Sequence, residues 1–501
     1  MILRVPSLRL VLAGVGLLSV VHAAELPRST PEAEGIASSA IDAWLTACEA
    51  ELDAVHGFVL MRHGKVVAEG WWKPFSSDRT HQLFSVSKSF TSTAVGLLVD
   101  DGKVDLDERV VDIFPDDLPE QPSERLRQVR VRDLLTMTSG MKHVELKASS
   151  ADCDWVRHTL ATGFDRDPGR MFRYDSFSTH LLAALVERRS GQPLLGFLNE
   201  RLFRPIGIDS AWTTKSPTGV ACGGWGLNMT TRDLARFGQL LLQEGRWEGR
   251  QLVSRDWVRL ATAKQTANKD SRADWRQGYG FQFWRCKHNC YRAAGARGQF
   301  VIVMPDQEAV LALHSSLGKM ERELDFVWKH LLRAMKQHAL PADPKAQEAL
   351  ACRCAELTLA PIAGEDSAPV DVLGKTWSLA LRYRLGFTAV RIDSADGGWI
   401  VVFTRDTGAE VRLPVGNGAW REGSAVFEDE SFERLGAIVG EQPTASSGGW
   451  EGRTFRTRTY LQNTVFRLDL TFDFKQDGQL ALDVNLTGMN GSRASATGTL
   501  H

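Results

Sequence analysis

Apolar residues recur at helical spacing through Ile41, Trp44, Leu45, Cys48 and Leu52, which predicts a helix over 38–53. The pattern then turns extended, over 57–63 and 65–72, and His63-Gly64-Lys65 joins the two runs as a hairpin. From 85 to about 265 the chain reads as helices separated by polar loops. Strand patterns return at 279–284, 299–304 and 310–314. A second long helix follows, with Leu324, Val327, Trp328, Leu331 and Met335 on one face. A helix and two strands thus open this unit, and about three strands and a helix close it. The economical packing is an α/β (α+β) body. One antiparallel sheet is assembled from both ends of the segment, terminal helices flank it, and a helical subdomain sits beside it. A cleft between sheet and helical region is a natural place for chemistry.

Pro341, Pro344 and Pro361 mark 343–365 as a linker with a short helix. Beyond it the period becomes two. Phe466, Leu468, Leu470, Phe472 and Phe474 alternate with polar residues, Asp477-Gly478 turns the chain, and Leu480, Leu482, Val484 and Leu486 alternate again. The same pattern runs through Val390 and Ile392, a turn at Asp396-Gly397, and Trp399, Val401 and Phe403. Residues 366–501 are expected to form a small antiparallel β domain, a barrel or a sandwich.

The first residues change the picture of where the chain acts. Arg4 and Arg9 precede an apolar run over 10–21, and Val21-His22-Ala23-Ala24 offers small residues for cleavage, so 1–24 reads as a signal peptide. The run is short for a membrane span. A periplasmic or secreted protein is expected, with no stable membrane span after cleavage. Lys plus Arg number 60 against 61 Asp plus Glu. That balance gives no reason to expect nucleic acid as a partner. Seven cysteines in an exported chain permit disulfides, and Cys286 and Cys290 flank a plausible turn, so a local bridge is open to them.

Three elements carry candidate chemistry. The first is Phe84-Ser85-Val86-Ser87-Lys88, opening a helix. Serine and lysine three apart on a helix lie one turn from each other. A serine hydroxyl needs an adjacent base, and a lysine serves if burial lowers its pKa. A second S-x-x-K, Ser316 to Lys319, has a glycine in its first turn and reads as the start of the closing helix. The second element is Tyr174-Asp175-Ser176 after a Pro168-Gly169 turn, which can present two hydroxyls to a cleft. The third is Ala293-Ala294-Gly295-Ala296-Arg297-Gly298-Gln299-Phe300, whose small residues allow close approach to a strand backbone. The backbone N–H groups of Ser85 and Ala296 could form an oxyanion hole there.

In this order the elements resemble the serine β-lactamase and DD-peptidase superfamily: S-x-x-K, then Tyr-x-Asn or Tyr-x-Ser, then a Lys-Thr-Gly-like strand. The phrases Val131-Arg132-Asp133-Leu134-Leu135-Thr136-Met137-Thr138-Ser139-Gly140, Gly223-Gly224-Trp225 and Thr231-Arg232-Asp233-Leu234 are also similar to it, and the resemblance spans roughly 30–340. It is strongest to the class C β-lactamase-like esterases and 6-aminohexanoate-dimer hydrolases, whose third motif ends like Gly295, Gly298 and Gln299. The resemblance implies a serine hydrolase domain over 25–342. Ser85 would be the nucleophile and Lys88 the base. Tyr174 would shuttle the proton, Ser176 would take the Asn position, and Gly295, Arg297, Gly298 and Gln299 would contact substrate. No cofactor or metal is implied, and the partner is a small ester, amide or peptide substrate.

Two departures bear on substrate. Ala293 and Ala294 stand where β-lactamases and DD-peptidases carry Lys-Thr or His-Thr, so the usual contacts to a β-lactam carboxylate are missing. Nylon-oligomer hydrolases use an extra loop tyrosine, and 141–156 contains none. Ester hydrolysis survives both losses. A weak β-lactamase, a DD-peptidase, and a β-lactam or wall-peptide sensor without turnover are the alternatives.

Overall fold

The computed structural model describes residues 25–52, 54–144, 153–380, 386–427, 440–488 and 492–500. The expected signal segment and much of the loop within 141–156 lie outside the described residues. Helix α1 (Ser38–Glu51) buries the predicted stripe of Ile41, Trp44, Leu45 and Cys48. Strands β1 (Val55–Arg62) and β2 (Lys65–Trp71) form the predicted hairpin. His63 and Gly64 take φ of 48° and 77° at its turn. Positive φ at both central residues twists in the sense the flanking strands need.

The sheet is completed from far along the chain by β3 (Trp284–Arg285), β4 (Tyr291–Gly295), β5 (Gln299–Met304) and β6 (Ala309–Ser315). Its order is β2-β1-β6-β5-β4-β3. β1 pairs antiparallel with β6, so both ends of the segment meet mid-sheet as expected. Alternation then feeds two cores. Val59, Met61, Val301, Val303, Val310 and Ala312 face a helical layer containing α2 (Ser87–Asp100), α3 (Ser176–Ser190) and α4 (Thr231–Leu242). Phe58, Leu60, Phe300, Ile302, Leu311 and Leu313 face α1 and α5 (Met320–Phe326).

Two predicted elements differ. The run 279–284 is a strand only at its end, because Gln282 takes φ of 67° and its N–H bonds Leu135 across the layer. The closing helix passes from α5 into a π turn over Val327–Leu331 and a 3₁₀ turn over Leu332–Ala334, so Met335 falls outside it. Within the predicted linker, α6 (Pro344–Glu356) lays Leu350 into the same core as α1.

The C-terminal part is all strand. It comprises β7 (Thr376–Leu379), β8 (Phe387–Ala395), β9 (Gly398–Arg405), β10 (Glu410–Gly416) and β11 (Arg421–Val426). β12 (Glu441–Glu451), β13 (Thr454–Leu461), β14 (Arg467–Phe474), β15 (Gln479–Thr487) and β16 (Ser492–Leu500) follow. The order is β10-β9-β8-β7-β16-β15-β14-β13-β12-β11. Gly416 of β10 bridges Ser447 of β12, which closes a barrel. Trp377, Trp399, Phe403, Trp450, Phe455 and Phe472 pack its interior. No helix of the described residues is long and apolar enough to cross a membrane.

The barrel docks on the N-terminal body through the turn between β13 and β14. Gln82 N–H donates to Asn463 O at 2.9 Å, Ser316 Oγ donates to Val465 O at 2.7 Å, and Gln462 Nε2 donates to Pro74 O at 2.5 Å. Beside this seam lie His56, His81 and His314, with His56 Nδ1 2.9 Å from His81 Nε2 and the rings of His81 and His314 stacked. Burial pushes all three imidazoles below their ordinary pKa, His81 to about 4, so they pack as neutral rings.

Candidate active site

The short helix Phe84–Val86 leads into α2, so the S-x-x-K segment is helical from its start. Lys88 Nζ lies 3.0 Å from Ser85 Oγ, 3.0 Å from Ser176 Oγ and 2.6 Å from Gly224 O. The serine keeps partial exposure, while Lys88 is 1% exposed. Burial pushes the Lys88 pKa down to about 7, against a smaller upward pull from Asp175. A buried ammonium loses its hydration, so the neutral amine is favoured. The Gly224 carbonyl is the contact that sequence reasoning missed. A side chain at Gly224 would fall 2.8 Å from Ser176 O, so only glycine lets that loop approach α3 so closely.

Tyr174 and Ser176 flank the N-cap of α3. Asp175 accepts from the N–H groups of Phe177 and Ser178 at 3.1 and 2.9 Å, which fixes the start of the helix. The Tyr174 ring lies 4.9 Å from Lys88 Nζ and stacks on Trp284. Burial pushes the Tyr174 phenol up, a hydrogen bond to Ser85 opposes this, and the phenol stays protonated at neutral pH. Ser85, Lys88, Tyr174 and Ser176 therefore converge, the first pair as helical spacing predicts and the other two as the resemblance implied.

Behind them stands Gln282, which sequence reasoning passed over. Its Nε2 donates to Leu134 O at 3.0 Å and Leu135 O at 2.8 Å. Its Oε1 accepts from Thr179, and its carbonyl accepts from Ser89. It ties α2, α3 and the Val131–Leu135 helix together. The available signal was a lone amide inside the apolar run Phe281-Gln282-Phe283-Trp284.

The third element is a hairpin, β4 to β5, with Ala296-Arg297-Gly298 as its turn. A side chain at Gly295 would fall 2.2 Å from Leu83 O, so β4 ends hard against the backbone that precedes Ser85. Phe84 and Ala296 pack into one apolar cluster with the barrel. Gln299 is fully buried, and its amide bonds Ala296 O and Ser315 O at 3.2 and 2.6 Å. A side chain at Gly298 would meet Glu323 Oε2 and Ser315. Gln299 and Gly298 thus face the protein behind the turn; expecting substrate contacts from them overlooked that a buried amide must satisfy the turn's own carbonyl. Ala293 and Ala294 are 1% and 6% exposed and sit in the two opposite cores. Cys286 and Cys290 are separate thiols, and Cys286 Sγ accepts from Arg292 Nη1 at 2.8 Å.

A partly exposed serine hydroxyl beside a neutralised lysine, with a protonated tyrosine at hand, can take up an acyl group and pass a proton onward. The β-lactamase family matches residues 45–334. A 6-aminohexanoate-dimer hydrolase of Paenarthrobacter ureafaciens is 28% identical over 289 residues, 52% of this chain and 72% of that one. Esterase EstB of Burkholderia gladioli is 29% identical over 185 residues, 33% of this chain and 46% of the esterase. The octameric penicillin-binding protein homologue from Pyrococcus abyssi shares the fold at a TM-score of 0.50 and 14% identity, over 92% of this chain and 99% of that one. With the family matched over more than half its length, the chain belongs to the β-lactamase family and is a serine hydrolase of the serine β-lactamase and DD-peptidase superfamily.

Proposed function

We propose that this protein is an exported hydrolase that cleaves carboxylic esters or small amides through an acyl-enzyme on Ser85. The observation that carries the reading is the 3.0 Å contact between Ser85 Oγ and the buried Lys88 Nζ. Neutral Lys88 takes the Ser85 proton as Oγ attacks the carbonyl carbon. The Ser85 and Ala296 N–H groups bind the oxyanion. Tyr174 passes the proton to the leaving alcohol or amine, and water then attacks the acyl carbon to free Ser85. The named activities of the two relatives, a 6-aminohexanoate-dimer hydrolase and an esterase, support this reading.

Ala293 and Ala294 favour esters over β-lactams. A charge-assisted hydrogen bond contributes about 1.5–3 kcal/mol. Its loss costs roughly one to two orders of magnitude in kcat/KM. The test combines a fluorophosphonate probe with p-nitrophenyl esters and a chromogenic cephalosporin. Labelling at Ser85, absent from Ser85→Ala, and ester turnover exceeding cephalosporin turnover are expected. Labelling that persists in Ser85→Ala defeats the assignment. A preference for the cephalosporin makes Arg297 the carboxylate anchor, and labelling without product release makes the protein a sensor.

A further inference from the structure

The turn that carries the Ala296 N–H is held from behind by a chain of buried polar groups. Gln299 Nε2 donates to Ala296 O at 3.2 Å and to Ser315 O at 2.6 Å. Leu317 N–H donates to Arg297 O at 2.8 Å, so two of the turn's three carbonyls are clamped. Ser315 Oγ in turn donates to Glu323 Oε1 at 2.7 Å. Glu323 is 0% exposed, its Oε2 has no hydrogen-bond partner, and that oxygen lies 2.7 Å from where a side chain at Gly298 would begin. The carboxyl fills the space beneath the glycine of the turn. None of these side chains belongs to the acylation steps above.

We infer that Glu323 is a positioning residue, which fixes the oxyanion turn through Ser315, Gln299 and its contact under Gly298. The inference rests on the hydrolase reading of that turn. The surroundings decide the form in which Glu323 works. Cys48 faces it from α1, and its buried thiol is itself pushed up, so it stays neutral and brings no charge. Ser315 faces it from β6 and Gly298 from the turn. Arg322, beside it on α5, is exposed and paired with Glu51, while Glu321 and Asp325 add only negative charge. Glu323 forms no ion pair among the described residues. Burial therefore pushes its pKa up to about 8, and it is a neutral acid at pH 7. Above that pH an unpaired carboxylate stands in a dry space under the turn. The turn must relax to hydrate it, and the Ala296 N–H loses its aim. An oxyanion donor acts in the transition state, so the loss falls on kcat rather than KM.

The test is the alkaline limb of kcat for p-nitrophenyl ester hydrolysis. Wild type is expected to lose activity about tenfold per pH unit above pH ~8. Glu323→Gln, neutral at every pH and nearly the same shape, should keep kcat at pH 7 within about threefold and remove the limb. Glu323→Leu should lower kcat roughly ten- to hundredfold with KM little changed, the range of a weakened oxyanion donor. A limb that persists in Glu323→Gln overturns the inference, as does an unaltered kcat in Glu323→Leu. A second readout needs no turnover. In ¹⁵N-alanine-labelled protein the Ala296 amide resonance should shift with a midpoint near pH 8, and stay still in Glu323→Gln. A resonance static in wild type defeats the positioning role. Absence of Ser85 labelling by the fluorophosphonate defeats the parent reading instead.

Discussion

Replacing Lys88 by arginine keeps a cation at the site and removes the possibility of a neutral base, because a guanidinium does not deprotonate in proteins. The expected effect follows from the environment of Nζ. It has three oxygen neighbours, 1% exposure and no ion pair among the described residues, and its pKa falls from 10.5 to about 7. That fall corresponds to about 5 kcal/mol against the charged form. It raises the neutral amine at pH 7 from roughly one molecule in three thousand to about half. Wild-type kcat/KM for a p-nitrophenyl ester should therefore climb about tenfold per pH unit below pH ~7 and level only between pH ~7 and pH ~8, where the alkaline limb assigned to Glu323 begins. Lys88→Arg should be slower by roughly two to four orders of magnitude across that range, the usual contribution of a general base. The assay is a pH series of initial rates, with circular dichroism to verify folding. An acid limb absent from the wild-type profile, or Lys88→Arg retaining more than about a tenth of the rate, refutes the assignment of Lys88 as base.

Tyr174→Phe keeps the ring stacked on Trp284 and deletes the proton relay, so kcat should fall by about two to four orders of magnitude while the melting temperature holds. Near-normal turnover would mean the proton reaches the leaving group another way. Ser316→Ala removes the donor to Val465 O at the barrel seam, and urea unfolding should register a loss of about 1–3 kcal/mol. Fluorophosphonate labelling should survive that change; its loss would make Ser316 part of the chemistry.

The site was legible where chemistry follows from short spacing. Ser85 and Lys88 meet because a helical turn separates them, and Tyr174 and Ser176 share the start of α3. The strands were legible where one face is buried: β14 and β15 alternate cleanly, and the Asp477-Gly478 turn has glycine at φ of 78°. Contacts made by closure over long distance were not. The Gly224 carbonyl comes to Lys88 from 136 residues away, and Gln282 reaches Leu134 from 148 away. Nothing periodic marks either residue. Gln282 also explains why 279–284 fails to extend as one strand, since its positive φ serves a tertiary bond that propensity cannot anticipate.

The two copies of S-x-x-K differ in what the fold brings to each serine. Ser85 meets a lysine amine and Ser316 meets a barrel carbonyl, although both sit ahead of a helix. The barrel also bears on the first copy. Phe84 takes φ of 47°, a conformation that costs a residue with a side chain about 1–2 kcal/mol. Glycine would adopt it freely, yet a phenylalanine stands next to the nucleophile. Its ring is 3% exposed and belongs to the barrel's apolar cluster. Burying such a ring contributes about 1.5–3 kcal/mol, enough to offset the backbone strain. The turn that aims Ser85 is therefore held by the C-terminal barrel as well as by α2.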